Sequence, residues 1–281
     1  MRFRMAALCF GVSLCFAHAD AATLLAGYDM DTNNGTAAGA AVLDVSGLAT
    51  PLDAVIQPSS SVVADNTRPN AAAGNQVLSV GVTGLGAFSP YDARLDTGTD
   101  GFTFVAWVKH SNSANFQSVV GRGPFAERIF NDFGGYPIAI SNGTNNPGGF
   151  QFLGTGTSDN ADGEWHHVAV SLDLSDPLDP RIKGYQDGML VANNPTDIPG
   201  LNPISNGIDI AGRQFDNGDA FPNSMLDDVA MFRGALSDSD VSALYSGAKS
   251  LADFAIPEPS AALLALTPAV VFATRRRWRA A

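Results

Sequence analysis

The sequence predicts an all-β protein, a two-sheet antiparallel sandwich with one short C-terminal helix, and three features carry that prediction. Gly, Asn, Asp and Pro recur at roughly ten-residue intervals between short stretches rich in Val, Ile, Phe and Tyr, the spacing of strands and turns that sandwiches and barrels show. Several of these stretches alternate in hydrophobicity with the period of two that a half-buried strand requires. Helical periodicity appears in one short, well-capped segment near the end of the domain and nowhere else.

Residues 102–109 (FTFVAWVK) place Phe102, Phe104 and Val108 on one parity and Val105 and Trp107 on the other. Both faces of that strand are expected to be covered, so it is central. Residues 164–173 (EWHHVAVSLD) alternate Val168, Val170 and Leu172 with Trp165, His167 and Ala169. Residues 183–191 (KGYQDGMLV) contain Asp187-Gly188, whose tolerance of positive φ suits a tight hairpin turn. Residues 207–212 and 225–233 (MLDDVAMFR) supply two further strands. Ser237 then caps a helix, with Asp238 and Asp240 in the first turn, where the helix dipole favours anions. Val241, Leu244 and Tyr245 form one face and Gly247 follows the end, while Leu236 and Val241 make a hydrophobic staple. Such a helix is expected to plug one end of the sandwich.

Both ends of the 281 residues read as processing segments. Arg2 and Arg4, an uncharged apolar run over residues 5–17 and the small-residue pattern Ala17-His18-Ala19 form a secretory signal, so residues 1–19 are expected to be removed. The run falls short of the roughly 20 residues that a membrane-spanning helix needs. Both cysteines, Cys9 and Cys15, lie inside it, which leaves the mature chain without a disulfide, a thiolate ligand or a cysteine nucleophile. At the other end, Pro257-Glu258-Pro259 precedes a charge-free hydrophobic segment over residues 260–274, then Arg275, Arg276, Arg277 and Arg279. The arginines stay cytoplasmic by the positive-inside rule, which leaves the domain outside.

Tripeptide, hydrophobic stretch and terminal arginines together resemble the PEP-CTERM sorting signal. That resemblance implies an exosortase-type membrane protease as processing partner, a transient hold on the inner membrane, and delivery to the cell envelope or extracellular matrix. An ordinary tail anchor shares the hydrophobicity and the arginines but not the tripeptide. The chain thus divides into a signal peptide (1–19), one domain (20–250) and a sorting segment (251–281). Residues 20–256 hold 27 acidic against 10 basic residues, a net charge of about −17. A nucleic-acid ligand needs the opposite field and is excluded as a partner.

In order, FTFVAWVK, GEWHHVAVSLD, a Y-x-D-G hairpin, GIDIAG and LDDVAMFRGALSDSDVSALYSG resemble the concanavalin A-like, laminin-G-like jelly roll. The opening YDMDTNNG and residues 43–47 (LDVSG) resemble that family's first strand and its D-x-S-G loop. The match runs over most of residues 24–247 and implies two face-to-face sheets with a curved concave surface. It also implies a structural Ca²⁺ near the N-terminal strand and the acidic pair, which makes Asp29, Asp44 and Asp227 the candidate ligands. Calcium takes six to eight oxygen ligands, which loops rich in Asp and Asn supply; the same carboxylates equally fit a solvated acidic surface.

A fold does not fix an activity. Glycoside hydrolysis, which some relatives of this sandwich perform, needs two carboxyl groups about 5 Å apart in retaining enzymes. Glu127, Glu164 and Glu258 are scattered, and Asp227-Asp228, adjacent in a strand, are expected to point to opposite faces. His166-His167 diverge for the same reason and lack a G-x-S-x-G elbow, so a packing role is expected. His110 ends a strand and His18 leaves with the signal. Trp107, Phe116, Phe150 and Phe152 are aromatic candidates for stacking on sugar rings, and each also suits the core. Residues 137–149 (PIAISNGTNNPGG) read as a ligand-facing rim or as a plain surface loop. The expected function is therefore non-catalytic: an exported protein whose lectin-like sandwich binds extracellular polysaccharide, a surface glycan or a surface partner. The alternatives are a structural or adhesive matrix protein with calcium-dependent self-association and, less favoured, a glycoside hydrolase.

Overall fold

The structure is a computed structural model that describes residues 22–111, 117–122, 128–131, 138–141, 150–153, 161–201, 203–213 and 219–255; within it, residues 128, 130, 131, 138–141 and 150–153 are described by backbone alone. In chain order the strands are β1 (Thr23–Tyr28), β2 (Ala41–Val42), β3 (Ala54–Ile56), β4 (Ser61–Ala64), β5 (Gln76–Val80), β6 (Ala87–Phe88), β7 (Gly101–His110) and β8 (Gln117–Arg122). They continue with β9 (Arg128–Asn131), β10 (Ile138–Ser141), β11 (Phe150–Leu153), β12 (Trp165–Asp173), β13 (Arg181–Gln186), β14 (Met189–Pro195), β15 (Ile208–Ile210) and β16 (Ser224–Arg233), and α1 (Asp238–Ser246) follows. The first sheet runs β14-β13-β12-β7-β16-β5-β4, with β1 also on β16, and the second runs β11-β10-β9-β8-β15-β6-β3-β2. The strand pairs are antiparallel throughout the described residues, and the two layers form the expected jelly-roll sandwich.

As the two apolar parities of residues 102–109 require, β7 is central, flanked by β12 and β16. Phe102, Phe104, Ala106 and Val108 meet Val168 and Val170 in the main core between the sheets. Each such burial stabilises the fold by about 1.5–3 kcal/mol for a large apolar side chain. The opposite parity, Val105 with Ala169 and Tyr185, packs in a second cluster against Leu236, Val241 and Leu244. The helix therefore covers the outward face of the first sheet and does not plug an end of the sandwich, because that sheet carries a second apolar face that must be buried.

The local chemistry of these elements follows the sequence. Asp187 and Gly188 both adopt positive φ (50° and 75°) and join β13 to β14 in a two-residue hairpin. Ser237 caps α1 by accepting from the Asp240 amide at 3.1 Å, and Gly247 ends it in the left-handed region at φ 71°. At the end of β8 the guanidinium of Arg122, fully buried, donates to the carbonyls of Leu95 (2.6 Å) and Ile204 (3.0 Å) and pairs with Asp96 (2.8 Å). No helix among the described residues is long and apolar enough to cross a membrane. The signal peptide, Pro257, Glu258, Pro259, residues 260–274 and Arg275, Arg276 and Arg277 lie outside the described residues.

Candidate functional site: the acidic bulge of β16

One edge of β16 serves two partners. Its N-terminal part pairs with β5 (Leu226 opposite Leu78) and its C-terminal part with β1 (Val229 opposite Tyr28). Between them the register with β7 slips at residues 227–230, and Asp228 takes φ 44°. Such a β-bulge adds a residue to one strand and re-aims its side chains. The expectation that Asp227 and Asp228 point to opposite faces fails here for that reason. Both carboxylates reach one cation, the guanidinium of Arg68: Nε lies 2.7 Å from Asp227 Oδ2, and Nη1 lies 3.0 Å from Asp228 Oδ2.

The segment between β4 and β5 delivers that guanidinium. It closes on itself, the Asp65 amide donating to the Asn75 carbonyl at 2.9 Å and the Asn66 side chain accepting from the Gly74 and Asn75 amides. Asn75 then donates its side-chain amide to Asp227 Oδ2 at 2.9 Å and accepts from Arg68 Nη2 at 3.1 Å. Arg68 also lies over the ring of Trp107, its Cζ 5.3 Å from the centroid, a cation–π arrangement. Trp107 is stacked on Tyr245 of α1 at 5.5 Å and meets His167 edge-on at 5.3 Å. The same segment reaches the end of α1, where Asn70 donates to the Tyr245 carbonyl at 3.1 Å.

Asp227 is fully buried, whereas the Asp228 side chain keeps 29 % exposure. Burial, then the neighbouring Asp228 carboxylate, pushes Asp227 well above the usual carboxylate range. Burial also raises Asp228; Arg68 opposes that rise while Asp29 and Asp31 add to it. Physically, one guanidinium faces several acids, and proton uptake meets the charge it leaves uncompensated.

The three carboxylates proposed for calcium sit in different bonding schemes. Asp44 accepts from the Gly27 amide (3.0 Å), the Ser46 amide and hydroxyl (both 2.9 Å) and the Leu52 amide (3.0 Å), which engages both its oxygens with its own loop and β1. Asp29 accepts from the Thr32 amide at 2.9 Å and the Thr32 hydroxyl at 3.1 Å. Asp227 is held by Arg68, Asn75 and the Asp228 amide. Among the described residues no three His, Cys, Asp or Glu side chains are arranged to hold a metal ion. The three proposed carboxylates are therefore not gathered around one point among the described residues.

The histidines pack. His167 is buried, and burial depresses it to about 4. His166 is held by Asp187 at Nδ1 (3.0 Å) and Asp162 at Nε2 (3.3 Å), and the Asp187 hydrogen bond leads the causes that raise its pKa. Glu164 is exposed, and Glu127 and Glu258 lie outside the described residues. Trp107, only 1 % exposed, is a core residue and not a sugar platform. Phe116 lies outside the described residues, as do the side chains of Phe150 and Phe152 and most of residues 137–149.

Three residues escaped sequence reasoning. Arg68 and Asn75 lie in a stretch without strand periodicity, and their partners are distant in the chain. Asp209 sits between Ile208 and Ile210 of β15, both core residues, so alternation places it on the outward face of the second sheet; it is 3 % exposed, opposite Gly121 and Phe88. A carboxylate between two isoleucines in a short strand was the one signal available.

Two antiparallel sheets packed face to face, with a capped helix lying on the outward face of one, define a lectin-type β-sandwich. Residues 65–242 match the laminin G family described as the Concanavalin A-like lectin/glucanases superfamily, and the chain belongs to that family. No curated protein matches it. Among solved structures it is similar to the binding domain of Paraclostridial Mosquitocidal Protein 1, at 12 % identity and TM-score 0.52 over 78 % of this chain and 53 % of that one. It is also similar to Domain 4 of AbnA, a GH43 extracellular arabinanase from Geobacillus stearothermophilus, solved in complex with arabinotriose. That likeness has 16 % identity and TM-score 0.52 over 80 % of this chain and 100 % of that one. The chain spans about half the length of the first solved structures it matches. At these identities the similarity shows the fold.

Proposed function

We propose that the protein is an exported, non-catalytic binding module that recognises glycan, as extracellular polysaccharide or on a surface partner. The observation that carries this reading is how the groups capable of chemistry are used. Asp44, Asp227, His166 and His167 are each engaged in bonds or packing that hold the sandwich together. Support also comes from the fold shared with an arabinanase domain solved with arabinotriose and with the binding domain of a mosquitocidal protein. Glycan arrays with the purified protein test it. Saturable binding to a subset of polysaccharides is expected; uniform non-binding, or release of reducing sugar, overturns it.

Export and sorting belong to the same proposal. Intact-mass measurement of the mature protein is expected to show a start within a residue or two of Asp20 and loss of the arginine tail after Pro257-Glu258-Pro259. A retained Arg279 defeats the sorting reading and with it the exosortase-type partner.

A second reading, a matrix protein that self-associates, is favoured by β14. This edge strand of the first sheet carries no charged residue, and Met189, Leu190 and Val191 are exposed on it. Uncharged apolar edges are templates for pairing with another chain. Concentration-dependent oligomers that Leu190→Lys abolishes, without glycan affinity, favour this reading over the first.

A further inference from the structure

The acidic pair of β16 is where a sandwich of this family is expected to recruit a metal, and among the described residues the three proposed carboxylates are not gathered there. We infer that Arg68 is the resident cation of this domain, its guanidinium taking the place of a metal between Asp227 and Asp228, so that the sandwich is complete without calcium.

The geometry carries this. Arg68 has one edge on each carboxylate, Nε to Asp227 at 2.7 Å and Nη1 to Asp228 at 3.0 Å, and its third nitrogen on Asn75 at 3.1 Å. The remaining Asp227 oxygen accepts from the Asp228 amide at 2.9 Å. The planar guanidinium spans both carboxylates at ion-pair distance, Nη2 donating to Asn75 while Nε makes no aligned hydrogen bond, so its charge and not a matched fork of donors bridges the two acids. Its apolar side is covered as well, since the guanidinium lies over Trp107, and the Arg68 side chain is only 9 % exposed. A calcium ion at this bulge would have to expel a fixed positive charge from between its own ligands. Because the loop over residues 65–75 is tied at once to β16, β7 and α1 by this one side chain and by Asn70, Arg68 does the joining work that a bridging metal does elsewhere.

Replacing the guanidinium by a neutral side chain should therefore open a cation site that the native protein lacks. The test is thermal unfolding of the whole protein in chelator and in millimolar CaCl2 at constant ionic strength, with magnesium as control, for wild type, Arg68→Lys and Arg68→Gln. Wild type and Arg68→Lys are expected to melt at the same temperature with and without calcium. Arg68→Gln is expected to melt lower in chelator and to recover by roughly 5–10 °C at calcium well above its Kd, since a ligand confined to the native state raises its stability. A wild-type melting temperature that falls in chelator or rises with calcium overturns the inference. So does a folded Arg68→Gln indifferent to calcium. Should Arg68→Gln not fold in chelator, its refolding yield in calcium decides: recovery supports the resident-cation role, and no recovery overturns it.

Discussion

The loop that holds Asp44 and the bulge that holds Asp227 and Asp228 are both acidic turns beside the end of β1, yet they are stabilised by opposite means. Asp44 is satisfied by backbone: its amide donors come from Ser46 and Leu52 of its own loop and from Gly27 of the adjoining β1. Such a carboxylate acts as a template that shapes a turn, and its charge is met by oriented dipoles. Asp227 is buried in a strand and depends on a side chain from a separate loop, Arg68. The difference teaches that acidic residues of equal appearance can belong to two energetic classes. One survives as a self-contained unit, and the other ties distant elements into one cooperative structure.

The largest expected effect breaks the second class. At a pH above the raised Asp227 titration, Arg68→Ala leaves an ionised Asp227 buried without its cation and frees the loop over Trp107, at a cost of about 3–5 kcal/mol, measurable as a lowered urea midpoint. Asp44→Ala should cost less, about 2–4 kcal/mol, because the Gly27 and Leu52 amides lose one acceptor while the rest of the loop keeps its backbone bonds. A larger loss for Asp44→Ala than for Arg68→Ala would reverse the ranking drawn here.

The contrast sharpens with pH. Asp227 and Asp228 titrate above the ordinary carboxylate range when folded. A raised acid contributes stability that is full below its unfolded pKa and is lost as pH rises through its folded value. His167 has the opposite sign: depressed to about 4 when folded, it costs stability as pH falls below about 6.5, where the unfolded chain takes up the proton. Between the ordinary carboxylate range and about 6.5 the two effects run in opposite senses and offset, so wild type should lose stability chiefly as pH rises beyond about 6.5. Asp227→Asn should weaken that alkaline loss, leaving the part that belongs to Asp228, and should unmask the His167 loss below about 6.5. An alkaline limb undiminished in Asp227→Asn would place its origin elsewhere.

Much of the scaffold was legible in the sequence. The two apolar parities of β7, the Asp187-Gly188 turn and the Ser237-to-Gly247 helix are decided by residues close together in the chain, so local chemistry suffices to read them. The bulge was not legible. Asp227 and Asp228 look like any alternating strand pair until β5 and β1 are seen to share one edge of β16, a property of topology. Arg68 was hidden for the same reason, since a lone arginine before Pro69 carries no mark of the strand it will reach. Trp107 was readable as apolar and central, but whether it faced ligand or helix depended on where α1 docks.

The smallest effect tests whether the two acids of the bulge are equal partners. Asp228 is partly exposed and takes a positive φ, where Asn is among the best-tolerated residues. Asp228→Asn keeps the side-chain shape and an oxygen to accept from Arg68 Nη1, and removes one of the like charges near Asp29 and Asp31. Partly exposed ion pairs contribute about 0–1 kcal/mol, so its urea midpoint should stay within about 1 kcal/mol of wild type. A loss comparable to that of Arg68→Ala would mean that Asp228, and not the buried Asp227, is the anchor on which the guanidinium depends.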